Sequence, residues 1–203
     1  MKILLLSDSH SDHWVLNSLK SLLDKEEFDL AIIPGDITNR GLDAIKYIQK
    51  FADIFEDKKL NWLAVHGNND PDEVIDFLKS ERRDLHFYPR EIGNYKFLGI
   101  GGWGDELPPY ELRFDQNTVL VTHFPPPAIS SKKQFNPACQ PLIQISGHHH
   151  RWQKVQDIGS TRLINIPGSK DEHKAGILTL PQRQVSFFTL PKPNFLTTTS
   201  FIY

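Results

Sequence analysis

Short apolar runs alternate with stretches of helical periodicity in the first part of this 203-residue chain. No polar residue interrupts the runs at 3–6, 30–33 and 62–65, a pattern typical of strands that are buried on both faces. Between these runs, apolar residues recur at intervals of three or four, which indicates helices with one buried face. The alternation predicts an α/β fold built in layers.

Polar residues mark where the first and third helices are expected to begin. Ser11 or Asp12 precedes the first helical stretch and can accept a hydrogen bond from a backbone N–H there. Asp70 stands directly before Pro71, where a third helix is expected to start. We therefore predict Asp70 as the cap of that helix, with Val74 on its buried side.

The second half of the chain holds further strand-like runs, separated by loops instead of long helices. They lie at 95–100, 119–122, 142–145, 162–166, 176–180 and 185–190. The stretch 124–141 contains several prolines and has no clear periodicity, so we interpret it as a long active-site loop. No repeat or linker divides the chain. We expect one domain at 1–190 and a tail at 191–203, for which an arm onto a partner subunit and a disordered end both fit.

The composition argues against several classes of protein. Hydrophobic residues make up 39% and charged residues 24%, as in an ordinary globular protein. The net charge of −2 gives no broad electrostatic signal for nucleic-acid binding. No apolar run is long enough for a signal peptide or a membrane span, and the single cysteine, Cys139, cannot form an internal disulfide. We expect an inert Cys139, no membrane partner and a cytoplasmic location.

Residues of the types that bind metals recur directly after the predicted strands. In chain order these are Asp8 and His10, then Asp36, then Asn68, Asn69 and Asp70, then His123, then His148, His149 and His150. In open α/β sheets, functional sites form outside the carboxyl ends of the strands. The sequence therefore predicts that these side chains meet in one metal site.

The spacing within two of the sets suggests which side chains converge. In extended chain, residues i and i+2 point to the same side, so we expect Asp8 and His10 to face one point. The same spacing relates His148 to His150 and leaves His149 facing elsewhere. Glycines precede three of the candidate ligands and would allow a close backbone approach, at positions 35, 67 and 147. Carboxylate, imidazole and amide ligands together suit manganese, iron or zinc.

The set of motifs resembles the calcineurin-like metallophosphoesterase superfamily. The resemblance rests on Asp8-Ser9-His10, Gly35-Asp36, Gly67-Asn68, His123 and Gly147-His148-His149-His150, and it extends over roughly the first nine-tenths of the chain. The stretch at 165–169 is also similar to one in small bacterial and archaeal members. The resemblance implies a four-layer α/β/β/α sandwich of two mixed β-sheets flanked by helices.

The resemblance further implies a pair of divalent ions that share one aspartate. One ion would be held by Asp8, His10, Asp36 and His150, and the other by Asp36, Asn68, His123 and His148. Manganese is the favoured metal, with iron, zinc or nickel as alternatives. A hydroxide bridging the two ions would attack a phosphate ester, because paired ions about 3.5–4 Å apart lower the pKa of a shared water. No serine or cysteine adduct is then needed.

Two neighbouring residues refine the expected chemistry. Arg40 resembles the arginine that grips phosphate in the protein-phosphatase branch, although it would serve equally well as a solvated charge at a helix start. Asn69 stands where many members carry a histidine that is thought to protonate the leaving group, and an amide cannot donate a proton in that way. Because some small relatives that lack this histidine cleave phosphodiesters, we favour diester substrates. The candidate catalytic residues are therefore Arg40, Asn69 and His123.

The remaining histidines and one tryptophan are interpreted more plainly. Structural or solvated roles are expected for His13, His66, His86, His149 and His173, with His66 and His149 close enough to support the site. Trp103 could line a substrate cleft, but a core position is the better interpretation.

Three other functions are compatible with parts of the pattern. A scaffold of the same fold would have a degraded metal site, whereas all seven ligand positions are filled here. A nuclease of the same superfamily would be expected to add capping segments and a basic groove. A protein phosphatase or other monoesterase would retain the histidine that Asn69 replaces. The sequence does not identify the phosphate-ester substrate and leaves open whether the chain forms a homo-oligomer.

Overall fold

The computed structural model describes residues 1–41, 43–102, 114–125 and 140–193. In chain order the elements are β1 (Lys2–Leu5), α1 (His13–Leu23), β2 (Leu30–Pro34), α2 (Ala44–Asp57), β3 (Trp62–Val65), α3 (Asp72–Ser80), β4 (Arg90–Ile92), β5 (Tyr95–Ile100), β6 (Thr118–Thr122), β7 (Ile143–Ser146), β8 (Lys154–Ile158), β9 (Thr161–Asn165), α4 (Ser169–Glu172), β10 (Lys174–Thr179) and β11 (Gln184–Thr189).

The strands form two mixed sheets. The first has the order β11-β10-β1-β2-β3, in which β1, β2 and β3 run parallel and β10 and β11 run antiparallel to their neighbours. The second has the order β4-β5-β6-β7-β9-β8, with four parallel strands at its centre and an antiparallel strand at each edge. Two mixed sheets flanked by helices confirm the predicted fold class.

The sequence of β1 is apolar without alternation because both faces of the strand are buried. Ile3 and Leu5 pack in the core between the two sheets, whereas Leu4 and Leu6 pack against helices α1, α2 and α3 on the other face. All four side chains are fully buried. Each such side chain contributes about 1.5–3 kcal/mol by leaving water, so a strand between two cores is strongly specified by its composition.

The helix starts agree with the sequence in one case and differ in the other. Asp12 caps α1, accepting a hydrogen bond from the backbone N–H of Trp14 at 2.7 Å. The prediction for Asp70 is wrong, because Pro71 occupies the cap position of α3 and no side chain caps that helix. Asp70 instead turns inward, and its carboxylate accepts from the backbone N–H of Gly67 at 2.8 Å. Competition from those buried loop amides outweighs the local helix signal.

Three short elements have no counterpart among the predictions. Strand β4 has three residues, helix α4 has four, and all five residues of β8 are exposed. An exposed edge strand has no buried face, so its sequence lacks the apolar pattern by which strands are recognised. These elements become visible only through the neighbours that they pair with or pack on.

Several sequence predictions lie outside the described residues. They concern Trp103, Cys139, most of the loop expected at 124–141 and the tail from residue 194 onward. Among the residues that the structure does describe, no helix has the length and apolar character needed to cross a membrane.

Candidate metal centre

The seven predicted ligands lie together at the carboxyl ends of strands from both sheets. The loops after β1, β2 and β3 of the first sheet supply Asp8, His10, Asp36 and Asn68, and the segments after β6 and β7 of the second sheet supply His123, His148 and His150. Their ligand atoms form two groups, each with all atoms within 4.8 Å of one another: Asp8, His10, Asp36 and His150 in one, and Asp36, His123 and His148 in the other. Asp36 belongs to both groups.

In the first group, two imidazoles and two carboxylates face a common point. The Nε2 atoms of His10 and His150 are 3.1 Å apart. His10 Nε2 lies 3.6 Å from Asp36 Oδ2, and His150 Nε2 lies 3.3 Å from Asp8 Oδ1. Both aspartate side chains are buried, so the negative charge is concentrated where a cation would be held.

The second group lies deeper in the protein and includes an amide. His123 Nε2 is 3.4 Å from Asp36 Oδ2 and 2.9 Å from the side-chain oxygen of Asn68. The ring of His148 packs edge-on at 5.1 Å from that of His123. This arrangement brings nitrogen and oxygen donors together around a second point and gives Asn68 the position that the sequence predicted.

Three of the ligand histidines are held in place by a contact at Nδ1, on the side of the ring that faces away from the centre. Each presents Nε2 to the centre while Nδ1 meets an acceptor: the carbonyl oxygen of Pro34 for His123 at 2.9 Å, the side-chain oxygen of Asn39 for His10 at 2.8 Å, and the carboxylate of Asp171 for His150. A ring that donates from Nδ1 keeps a lone pair on Nε2, which is the atom a metal ion binds. These contacts at Nδ1 favour the tautomer that leaves Nε2 of each ring available to a metal ion.

The backbone of the ligand loops is left-handed at four of the ligands. Non-glycine residues rarely adopt positive φ, yet φ is 54° at Asp8, 47° at His10, 50° at Asp36 and 66° at His148. Such conformations cost of order 1–3 kcal/mol each and concentrate at functional sites. The convergence of Asp8 with His10 is confirmed, but the extended chain that we gave as its reason is wrong, since tight left-handed turns aim these side chains.

Glycines make room for the ligand carboxylates, as the sequence suggested. A side chain at Gly67 would overlap the carboxylate and the backbone nitrogen of Asp36. A side chain at Gly147 would overlap the hydroxyl of Ser7, which donates to Asp8. Both glycines therefore leave room beside a ligand carboxylate or the group that donates to it.

Charges at the centre shift the proton affinities of its residues. Burial alone would raise the pKa of Asp36, but hydrogen bonds from His123 and Asn69 outweigh it and hold that pKa well below its usual range. The Asp8 carboxylate, followed by Asp171, raises the pKa of His150 to about 9 against the effect of burial. Groups arranged in this way attract positive charge, which a proton or a metal cation can supply.

Asn69 lies within the centre, and Arg40 lies at its edge. Asn69 donates its backbone N–H and its side-chain amide to the two oxygens of Asp36, each at 2.8 Å. Arg40 is exposed, and its guanidinium approaches the carbonyl oxygen of Asn68 at 3.5 Å. Arg40 therefore stands at the rim, while Asn69 packs against the carboxylate shared by both groups.

The sequence placed Asp70 among the residues after β3 but missed its role in holding two ligand loops together. The buried carboxylate accepts from the backbone N–H and the hydroxyl of Thr38, at 2.7 and 2.9 Å, as well as from Gly67. It therefore ties the loop after β2 to the loop after β3, which carry Asp36 and Asn68. Its position within the Gly-Asn-Asn-Asp run was the available signal.

The other described histidines belong to neither ligand group. His66 and His86 are buried and pack edge-on with ring centroids 4.8 Å apart, and His173 stacks on Trp14. His149 is in neither ligand group, but its ring lies 5.2 Å from that of His148 and 4.1 Å from that of Trp152. It therefore packs beside a proposed ligand.

The residues present fit a pair of divalent cations. Imidazole nitrogens, carboxylate oxygens and one amide oxygen converge in two groups around a shared aspartate, and three rings have an acceptor at Nδ1 on the side away from the centre. Mixed nitrogen and oxygen donors are typical of sites for manganese, iron or zinc.

Comparisons with known proteins show what the chain is similar to. The family model of the calcineurin-like phosphoesterase superfamily domain matches residues 1–180. Uncharacterized protein MJ1162 of Methanocaldococcus jannaschii is 27% identical over 174 residues, which cover 70% of this chain and 78% of that protein.

Solved structures share the fold at low sequence identity. The crystal structure of TT1561 of Thermus thermophilus has a TM-score of 0.68 and 18% identity, covering 94% of this chain and 99% of that one. An archaeal protein described as a novel phosphodiesterase has a TM-score of 0.61 and 19% identity, covering 94% of this chain and 100% of that one.

Proposed function

Because the chain belongs to the calcineurin-like phosphoesterase superfamily, we propose that it is a binuclear metal-dependent hydrolase that cleaves phosphodiesters. The observation that carries the proposal is the position of Asp36 within both groups of ligand atoms. A shared carboxylate keeps two cations close enough to act on one phosphate. Manganese is the proposed metal, and iron, zinc and nickel are the alternatives.

The residues of the chain divide the work around the phosphate. When bound, the two ions would supply a water of lowered pKa as the nucleophile and would neutralise charge on the phosphate. Asp8, His10, Asp36 and His150 hold one position, and Asp36, Asn68, His123 and His148 hold the other. Hydrolysis forms a bond from the water oxygen to phosphorus and breaks the bond to the leaving alcohol, which takes up a proton.

Arg40 and Asn69 are proposed to act on the substrate and on the shared carboxylate, respectively. The exposed guanidinium of Arg40 stands at the rim, where its N–H groups can hold phosphate oxygens. Asn69 holds both oxygens of Asp36, so its amide orients the carboxylate that both cations share.

Preference for diesters follows from what stands at position 69. An amide offers no proton to a poor leaving group, whereas general-acid help is worth roughly 10²–10⁴-fold. Substrates whose leaving group needs little such help are therefore favoured. The fold is also shared with the archaeal protein described as a phosphodiesterase.

The test compares bis-p-nitrophenyl phosphate with p-nitrophenyl phosphate, each with added manganese, for the native protein, Asp36→Ala and the control Asp53→Ala. Asp53 is an exposed aspartate on α2, away from the centre. We expect faster turnover of the diester, with activity lost only in Asp36→Ala. Equal or faster monoester turnover would refute the diester preference. An active Asp36→Ala would refute the metal mechanism, and native protein that binds no divalent ion would favour a scaffold.

A further inference from the structure

The turn after β9 and the short helix α4 place one carboxylate behind a proposed metal ligand. Asp171, on α4, accepts a hydrogen bond from Nδ1 of His150, while Nε2 of the same ring faces Asp8. We infer that Asp171 is a positioning residue for one of the two metal positions, acting through His150. This inference rests on the proposed function, since it concerns one of the proposed ligands.

Backbone contacts fix α4 against the ligand turns on both sides. The backbone N–H and the hydroxyl of Ser169 both donate to the carbonyl oxygen of Ser7 at 2.8 Å, and the N–H of Lys170 donates to the carbonyl oxygen of Asp8 at 3.2 Å. Gly168 donates to the carbonyl oxygen of His150 at 2.8 Å. Four residues of helix are thus tied to the turns that carry two ligands of the same group.

The approach of α4 to His150 depends on a glycine. A Cβ atom at Gly168 would lie 2.9 Å from the Cβ atom of His150, closer than side chains pack. The stretch 165–169 is the one that is similar to a stretch in small bacterial and archaeal members. Its glycine lets α4 come close enough for Asp171 to reach the ring. Asp171 therefore lies near His150 because the backbone at 165–169 brings α4 against the turn that carries His150.

The groups that accept a hydrogen bond from Nδ1 of the three histidines differ in chemistry. Only one of the two metal positions has a carboxylate in this role. His123 is held by a backbone carbonyl and His10 by a neutral amide oxygen, but His150 is held by a carboxylate. A carboxylate behind an imidazole fixes its tautomer and makes Nε2 a stronger donor. Removing the charge of Asp171 should weaken the position formed by Asp8, His10, Asp36 and His150 and leave the other unchanged.

The experiment is calorimetric titration of manganese into metal-stripped protein for the native chain, Asp171→Asn and Asp171→Ala. The matched control is Asp157→Asn, since the Asp157 side chain is 54% exposed against 48% for Asp171 and also has one charged partner, Arg162. We expect one of two binding events to weaken by roughly 10–100-fold in Asp171→Asn, and more in Asp171→Ala. The control should bind as the native protein does. In zinc-loaded native protein, imidazole ¹H–¹⁵N spectra should show the proton of His150 on Nδ1.

The outcomes separate this inference from the proposed function. Two native-like binding events in Asp171→Asn would overturn the inference and leave the metal centre intact. Equal weakening of both events, with a lower melting temperature of the stripped variant, would also overturn it, because it would indicate a general structural role. No binding by the native protein would refute the proposed function itself.

Discussion

Asn69 donates to both oxygens of Asp36, from its backbone and from its side chain, each at 2.8 Å. The residue in the position of the absent histidine is thus engaged with the shared carboxylate. This contact holds the carboxylate of Asp36, which belongs to both ligand groups.

Asn69→His tests whether this residue limits monoester cleavage. An imidazole at this position can carry a proton to the leaving oxygen, an effect worth up to about 10²–10⁴-fold. We expect kcat/KM for an alkyl monoester such as glycerol 2-phosphate to rise more than that for p-nitrophenyl phosphate, because p-nitrophenolate is a good leaving group that needs little protonation. The backbone donor to Asp36 is retained in the variant. Unchanged monoester turnover in a folded, metal-loaded variant would show that another group supplies the proton.

Arg40→Ala tests the role of the guanidinium at the rim. An exposed charge-assisted hydrogen bond is worth roughly 1 kcal/mol, so we expect kcat/KM for the diester to fall about fivefold. Inhibition by inorganic phosphate should weaken by a similar factor. Lys50→Ala, which removes an exposed cation from α2, is the control and should leave both values unchanged. An unaltered phosphate inhibition constant in Arg40→Ala would indicate that Arg40 is only a solvated charge.

Manganese is expected to stabilise the folded chain. A ligand at a hundred times its dissociation constant adds about 2.7 kcal/mol to the free energy of unfolding, which for a chain of this size raises the melting temperature by several degrees. Thermal unfolding of stripped and manganese-loaded protein measures this effect. Asp36→Ala should lose most of it, since both ligand groups contain Asp36. An equal rise in that variant would place the ions elsewhere.

Asp84 gives a pH-dependent prediction outside the metal centre. Burial raises the pKa of its carboxyl, which accepts a hydrogen bond from the backbone N–H of His86 at 2.9 Å. Its ionised form is therefore less stable in the folded than in the unfolded chain, so its contribution to stability falls as the pH rises from its unfolded pKa through its folded pKa. Asp84→Asn removes this titration.

The measurement for Asp84 compares melting temperatures of metal-stripped native protein and Asp84→Asn at pH 4 and pH 7. Relative to the native chain, the variant should be more stable at pH 7 than at pH 4. Stripping the metal keeps ion release at low pH out of the comparison. A difference that does not vary with pH would mean that burial leaves the acidity of Asp84 unaltered.

The ligand set was accessible from the sequence because each ligand follows an apolar run that must be a buried strand. Asp8, Asp36 and His123 each occur within a few residues of such a strand, and strand ends of this fold meet at one edge. Local pattern was sufficient for these residues. The same is true of Asp12, whose capping role depends only on its immediate neighbours.

The residues that support the ligands were not accessible in this way. Asp171 reaches His150 across 21 positions and Asn39 reaches His10 across 29, so no local spacing reports either contact. Asp70 carried a convincing local signal for a helix cap, but buried amides from two loops compete for the same carboxylate. The left-handed turns at Asp8 and His148 likewise depend on packing, because neither residue type requires them.

The ligands come from the strand ends of both sheets, three strands in one and two in the other. Cations held there would cross-link the two halves of the sandwich at one rim, since Asp36 belongs to one sheet and its partners His123 and His148 to the other. The affinity for metal would therefore depend on how closely the two sheets pack against each other. Ile143 packs between the sheets at the start of the strand that leads to His148, so the cavity left by Ile143→Ala should weaken manganese binding, measured by titration, although no ligand is changed.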